Sequence, residues 1–184
     1  THALLPGDDG RLAAVWVGVR SVTHPYALSL LPRALPAGRY HLAQAGDASE
    51  AAPGQLTLDA EAAALSWQLG GYQFVRYKPR ARELAQLHLP NSPAAQRGLM
   101  LADAIIRVRD LVNTPAEHMG PEQLAQAAQD LAKAHGASFK QVVGEALLKQ
   151  NFPAIHAVGR AAASAPRLIE LNWGKPRHPR LTLV

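Results

Sequence analysis

Apolar and polar positions along the chain repeat with two different periods, and each change of period marks an element. Residues 12–19 (LAAVWVGV) form a valine-rich run, short and β-branched enough for a buried strand. Leucines placed between Pro25 and Pro32 predict a helix over 24–31, because proline is tolerated in a first helical turn. Gly38 opens a second short strand at 39–43. Asp59 can cap a helix that runs to Leu69, with Ala62, Leu65 and Leu69 turned inward and the pair Gly70 and Gly71 as its stop. Residues 72–77 alternate as a strand does, and 86–89 read as another.

The pattern breaks at Pro90, Asn91, Ser92 and Pro93, two prolines around a good capping residue. A long helix then spans 94–112. Its Gly98, Leu101, Ile105, Val108 and Val112 recur three and four residues apart, a seam that must face another element. Asp103 and Arg107 are placed to support it as an i,i+4 pair. Proline disfavours helical geometry in the residue before it, so Thr114 should leave the helix ahead of Pro115. A further helix starts at Pro121 with Glu122 in its first turn, carries Leu124, Ala127, Ala128, Leu131 and His135 on one face, and stops at Gly136. Residues 139–143 form a strand, 144–150 a short helix, and another helical turn follows Pro153. Strands at 167–173 and 180–184 are joined by GKPRHP, a connection short enough for an antiparallel hairpin. Alternating helices and strands make the class α/β. The division is a small α/β domain at 1–91, a linker helix at 92–113 and the opening of a second α/β domain at 114–184.

Composition narrows the chemistry. Among 184 residues 48% are hydrophobic and 18% charged, which is ordinary for a folded globular chain. Absence of cysteine excludes disulfides, thiolate metal sites and cysteine nucleophiles, and suits a reducing, cytoplasmic compartment. No apolar run approaches the roughly 18 residues that span a bilayer, and the N-terminus THALLPGDDG lacks the features of a signal peptide. A net charge of +5 raises the possibility of nucleic-acid binding. The cations are nevertheless scattered, and the densest groups (Lys78, Arg80 and Arg82; Lys175, Arg177 and Arg180) sit in proline-marked connections. They read as solvated surface. Acidic residues do not cluster beyond Asp8 and Asp9, which fall in an N-terminus expected to be mobile. No HExxH helix, Walker loop, GxGxxG turn or GxSxG elbow occurs. His118, His135 and His156 lack zinc-ligand spacing. No catalytic, cofactor-binding or metal-binding residue is therefore assigned.

What remains is a resemblance. RDLVNTP (109–115), HMGPEQLA (118–125), FPAIHAVGR (152–160) and PRLIELNWG (166–174), in this order and spacing, resemble the pre-catalytic region of the leucyl (cytosol) aminopeptidase family. LPAGRYHLA (35–43) and ALSWQLGGYQFVRYK (64–78) resemble the abbreviated, macro-like first domain of some bacterial members. The resemblance implies an α/β/α peptidase domain and a manganese- or zinc-dependent exopeptidase that removes N-terminal residues, often leucine, from peptides. It implies two bridged cations that lower the pKa of a shared water, and a hexameric assembly in which the apolar seam of the long helix is covered. It places the family's metal ligands and catalytic groups downstream of Val184, with the strand at 181–184 leading into their loop, so the expectation is a segment that binds neither ion and is inactive alone. In the matching residues the expected roles are structural: Asn113 and Pro115 shape a helix exit, Gly120 and Pro121 start the next helix, and Gly159 permits a tight turn. Two other classes stay open on residues alone, a basic α/β module that binds nucleotide or nucleic acid and a non-catalytic assembly subunit.

Overall fold

The computed structural model describes residues 1–43 and 59–184, which form two compact units, Thr1–Asp110 and Leu111–Val184. The fold is α/β, as the alternation of elements predicts. Among the described residues no helix is long and apolar enough to cross a membrane.

The first unit begins with a hairpin that the pattern did not reveal. β1 (His2–Pro6) pairs antiparallel with β2 (Leu12–Val17), placing Leu4 opposite Val15 and Ala3 opposite Trp16. Asp8 and Asp9 therefore lie in its turn rather than in a mobile end: Gly7 N–H donates to the Arg11 carbonyl at 2.7 Å, Gly10 takes φ 74°, and Asp9 Oδ1 accepts from the Arg11 N–H at 2.9 Å. β2 is not a buried strand. Only one face of the hairpin meets the core, through Val15 and Val17, so Trp16 on the other face is 65% exposed.

The helix expected over 24–31 is also corrected. Residues 25–30 form turns in which Ser29 N–H bonds to the Tyr26 carbonyl and Leu31 N–H to that of Leu28, three residues back instead of four. The α-helical part, α1 (Leu31–Ala34), comes after them. β3 (Arg39–His41) and β4 (Gln86–His88) then form a parallel ladder in the register Arg39–Gln86, Tyr40–Leu87 and His41–His88. Between them in sequence lies α2 (Ala60–Gly71), capped by Asp59, whose carboxylate accepts from the Ala62 N–H at 3.2 Å.

α2 is buried nearly all round, through Ala62, Ala63, Ala64, Ser66, Trp67 and Leu69. Gly70 and Gly71 do not stop it; they are its last two residues, and its end is closed by arginines from neighbouring elements. Arg33 donates to the Gly70 and Tyr72 carbonyls, and Arg109 donates to the Leu69 carbonyl at 3.2 Å. Residues 72–77 are not a strand, and at their head Tyr72 is held by side chains: Arg109 lies over its ring at 5.5 Å, and its Oη donates to Asp110 at 2.7 Å.

α3 (Pro93–Asn113) is capped by Ser92, whose Oγ accepts from the Ala95 N–H at 3.2 Å. Its buried stripe is Ala95, Gly98 and Ala102. The expected seam is thus displaced: Leu101 and Ile105 are about a third exposed, and Val108 and Val112 are 58% and 77% exposed. Small residues win the inner face because α3 approaches α2 closely. A Cβ on Gly98 would lie 2.8 Å from Ala64 Cβ and closer still to the Glu61 carbonyl oxygen.

In the second unit α4 (Pro121–His135) enters through Gly120, whose N–H donates to Gln123 Oε1 at 3.1 Å, and exits through Gly136 in the left-handed region at φ 64°. Ala125 and Ala132 are its buried positions, while Leu124 is 46% exposed, so the inner face is turned from the one the leucines suggest. β5 (Ser138–Val143) pairs antiparallel with β6 (Arg167–Asn172), and α5 (Ala146–Lys149) and α6 (Pro153–Gly159) fill the connection. Leu147 is fully buried there. β6 is not half of a hairpin with 180–184, which has no ladder partner among the described residues and stays irregular; β5 takes that place. Replacing Gly136 with alanine meets open space yet forces a Cβ into the left-handed region, so we expect a loss of about 1 kcal/mol, measured by urea unfolding.

Candidate functional site

In the second unit Arg167 links the start of α4 to β5, while the other residues singled out there shape the chain around these elements. Asn113 ends α3, and Thr114 beyond it is 7% exposed. A helical turn follows, with His118 N–H bonded to the Pro115 carbonyl at 2.8 Å, and leads to Gly120 and Pro121 at the start of α4. Arg167, at the head of β6, extends one guanidinium nitrogen to within 3.7 Å of Glu122 in the first turn of α4 and donates from another to Gln141 Oε1 on β5 at 3.0 Å. Its Nε, like Ser164 Oγ, is buried without a protein partner. Gly159 lies against Pro166, where a Cβ would sit 3.3 Å from Pro166 Cα and closer to its ring, so this glycine permits a close approach. The network ties α4, β5 and β6 together; it contains one carboxylate and no nucleophile–base pair.

The histidines do not converge in the second unit. His156 Nε2 lies 3.0 Å from Glu145 Oε1 with its side chain 15% exposed, and His135 supplies only its carbonyl, to Trp173 Nε1 at 3.0 Å. Across the described residues no three His, Asp or Glu side chains stand where they could hold a metal ion together. In the first unit two rings do meet. His41 and His88 face each other across the β3–β4 ladder with centroids 5.0 Å apart, beside an open cavity of about 330 Å³ lined by Arg39, Gln86, Leu87 and His88. No sequence spacing could announce this pair, because it depends on the register of strands 47 positions apart.

Comparison with known proteins assigns this framework. Residues 1–90 match the family model described as M17 aminopeptidase, N-terminal domain, and residues 106–184 match that of the cytosol aminopeptidase family, catalytic domain. The chain belongs to the cytosol aminopeptidase family. The probable cytosol aminopeptidase of Streptomyces coelicolor is 31% identical over 204 aligned positions that cover 94% of this chain and 40% of that protein. Among solved structures, the cytosol aminopeptidase of Coxiella burnetii superimposes with a TM-score of 0.82 at 37% identity, over 97% of this chain and 37% of its own. The bottromycin maturation enzyme BotP, in complex with Mn, gives 0.75 at 29% identity over 96% of this chain and 40% of its own. The chain thus spans about two fifths of the length of the relatives it matches. The phrases RDLVNTP, HMGPEQLA, FPAIHAVGR and PRLIELNWG all fall within the stretch matched to the family's catalytic domain, and two of them supply members of the Arg167 network, Glu122 and Arg167 itself.

Proposed function

We propose that the chain is the N-terminal and pre-catalytic portion of a two-metal aminopeptidase that hydrolyses N-terminal residues, often leucine, from peptides, and that its own role is scaffolding. Residues 1–91 then serve as the N-terminal domain, 92–113 as a linker helix and 114–184 as the opening of the catalytic domain. The observation that carries this reading is the match of residues 106–184 to the family's catalytic domain, in a stretch whose described side chains build hydrogen-bonded framework. A bimetal centre needs several carboxylates converging on ions about 3.5–4 Å apart. The described residues do not fit one, so neither cofactor ion is assigned to them. Manganese is favoured over zinc by the manganese complex of BotP. A cytoplasmic, hexameric parent acting on peptides follows from the same kinship. Family membership favours this reading over a nucleotide- or nucleic-acid-binding module and over a non-catalytic assembly subunit.

Leucine p-nitroanilide hydrolysis with added manganese tests it. The 184-residue chain should show no turnover above the metal-only blank, whereas a polypeptide extended through the segment its relatives carry downstream should hydrolyse the substrate. Robust turnover by the 184-residue chain would refute the scaffold role.

A further inference from the structure

The polar face of the β3–β4 ladder carries chemistry that the peptidase reading does not use. In a parallel ladder, residues in register project to the same side, and alternate residues share a face. Arg39 and His41 on β3 therefore share one face with Gln86 and His88 on β4, while Tyr40 and Leu87 pack against the core on the other. Both histidines are exposed. They stand directly opposite each other with ring centroids 5.0 Å apart and ring planes at 59°.

That separation lies within the range that two imidazoles on one metal ion span. With about 2.1 Å from metal to nitrogen and about 1.1 Å from nitrogen to ring centre, two imidazoles on one ion have centroids about 4.5 Å apart at a right angle and about 5.2 Å apart at the tetrahedral angle. The observed 5.0 Å falls between these limits, so the two rings already stand at a separation that one ion can bridge. We propose that His41 and His88 form a bidentate site for a divalent transition-metal ion on this face, separate from the two-metal centre of the parent enzyme.

The donor set specifies the class of ion. Two imidazoles, with no carboxylate among the ladder residues that share their face, suit copper, nickel and zinc and do not suit calcium or magnesium, which need oxygen ligands. The open cavity beside His88 leaves room for waters in the remaining coordination positions. Arg39 shares the face, and its charge opposes a dication, so the ion is held more weakly than in a closed site of three or four protein ligands.

Titration of the 184-residue chain with copper(II) in a non-coordinating buffer, followed by calorimetry and electron paramagnetic resonance, tests the site. One equivalent should bind with hyperfine structure from two nitrogens, and excess magnesium should not displace it. His41→Gln and His88→Gln should each weaken binding at least about tenfold and leave one nitrogen in the spectrum, while His156→Gln should leave both readouts unchanged. Both substitutions fall at exposed positions, so circular dichroism and Tm in EDTA should match the unsubstituted chain. Equal copper affinity in either single variant, or loss of the two-nitrogen signal in His156→Gln, would overturn the proposal. Neither result bears on peptide hydrolysis, which is read separately.

Discussion

Gly70→Ala should destabilise the first unit by about 3 kcal/mol or more, while Gly71→Ala, one residue on, should be neutral or stabilising by up to about 1 kcal/mol. Both glycines lie in the last turn of α2 with ordinary helical backbone, so the difference comes from what surrounds them. A Cβ on Gly70 would penetrate the backbone of Ser29, 2.6 Å from its Cα and nearer to its carbonyl oxygen. Backbone cannot rotate aside as a side chain can, and Ser29 is itself held in the turn before α1 by its N–H bond to Tyr26. At Gly71 the nearest atoms are Pro32 Cβ at 3.7 Å and Leu84 Cδ1 at 3.8 Å, ordinary van der Waals contact, and alanine restores helix propensity there. Urea unfolding followed by tryptophan fluorescence would check the pair. Trp67 is 6% exposed, whereas Trp16 and Trp173 are 65% and 79% exposed, so the emission change reports chiefly on the first unit. Equal stability of the two variants would show that α2 and the Ser29 turn do not meet as described.

Trp67→Ala should cost about 3–5 kcal/mol, the range for emptying a buried aromatic site, and Trp67→Phe about 1–3 kcal/mol. The tryptophan sits in the cluster formed with Leu28, Leu31, Leu35, Ala63 and Ala85, its ring 6.3 Å from that of Tyr40. Its Nε1–H donates to the Ala85 carbonyl at 3.1 Å, immediately before β4. Phenylalanine would keep most of the apolar contact and leave that carbonyl unpaired. The alanine variant should therefore lose both packing and the anchor of the segment entering β4. Circular dichroism melts suit this position, since the substitution removes the fluorescent probe. If the phenylalanine variant proved as unstable as the alanine one, the hydrogen bond rather than the packing would dominate at this site.

Legibility in the sequence followed locality. The cap at Asp59, the entry at Pro121 and the exit at Gly136 were readable because each depends on a few neighbouring residues: a carboxylate three positions from an N–H, a proline whose φ is already helical, a glycine able to turn left-handed. The errors lay where a distant partner decides. Residues 72–77 alternate like a strand, but Arg109 and Asp110, more than 30 positions away, take up Tyr72. Gly70 and Gly71 look like a stop, but arginines from α1 and α3 satisfy the carbonyls at that helix end. The leucine and valine seam of α3 reads as the inner face, but the approach to α2 admits only the Ala95, Gly98 and Ala102 stripe.

The same division runs through function. Sequence by itself determined the kinship: ordered phrases such as RDLVNTP and PRLIELNWG carry it, because a linear pattern of residues survives without any knowledge of contacts. It also determined the α/β class, which rests on the alternation of hydrophobic periods. Only the tertiary structure decided that β5 rather than 180–184 pairs with β6, that Arg167 joins α4 to both strands, and that His41 meets His88. Strand register and the packing distance between helices are set by the closing of the whole core, so the contacts they create between residues far apart in the chain leave no periodic trace in it.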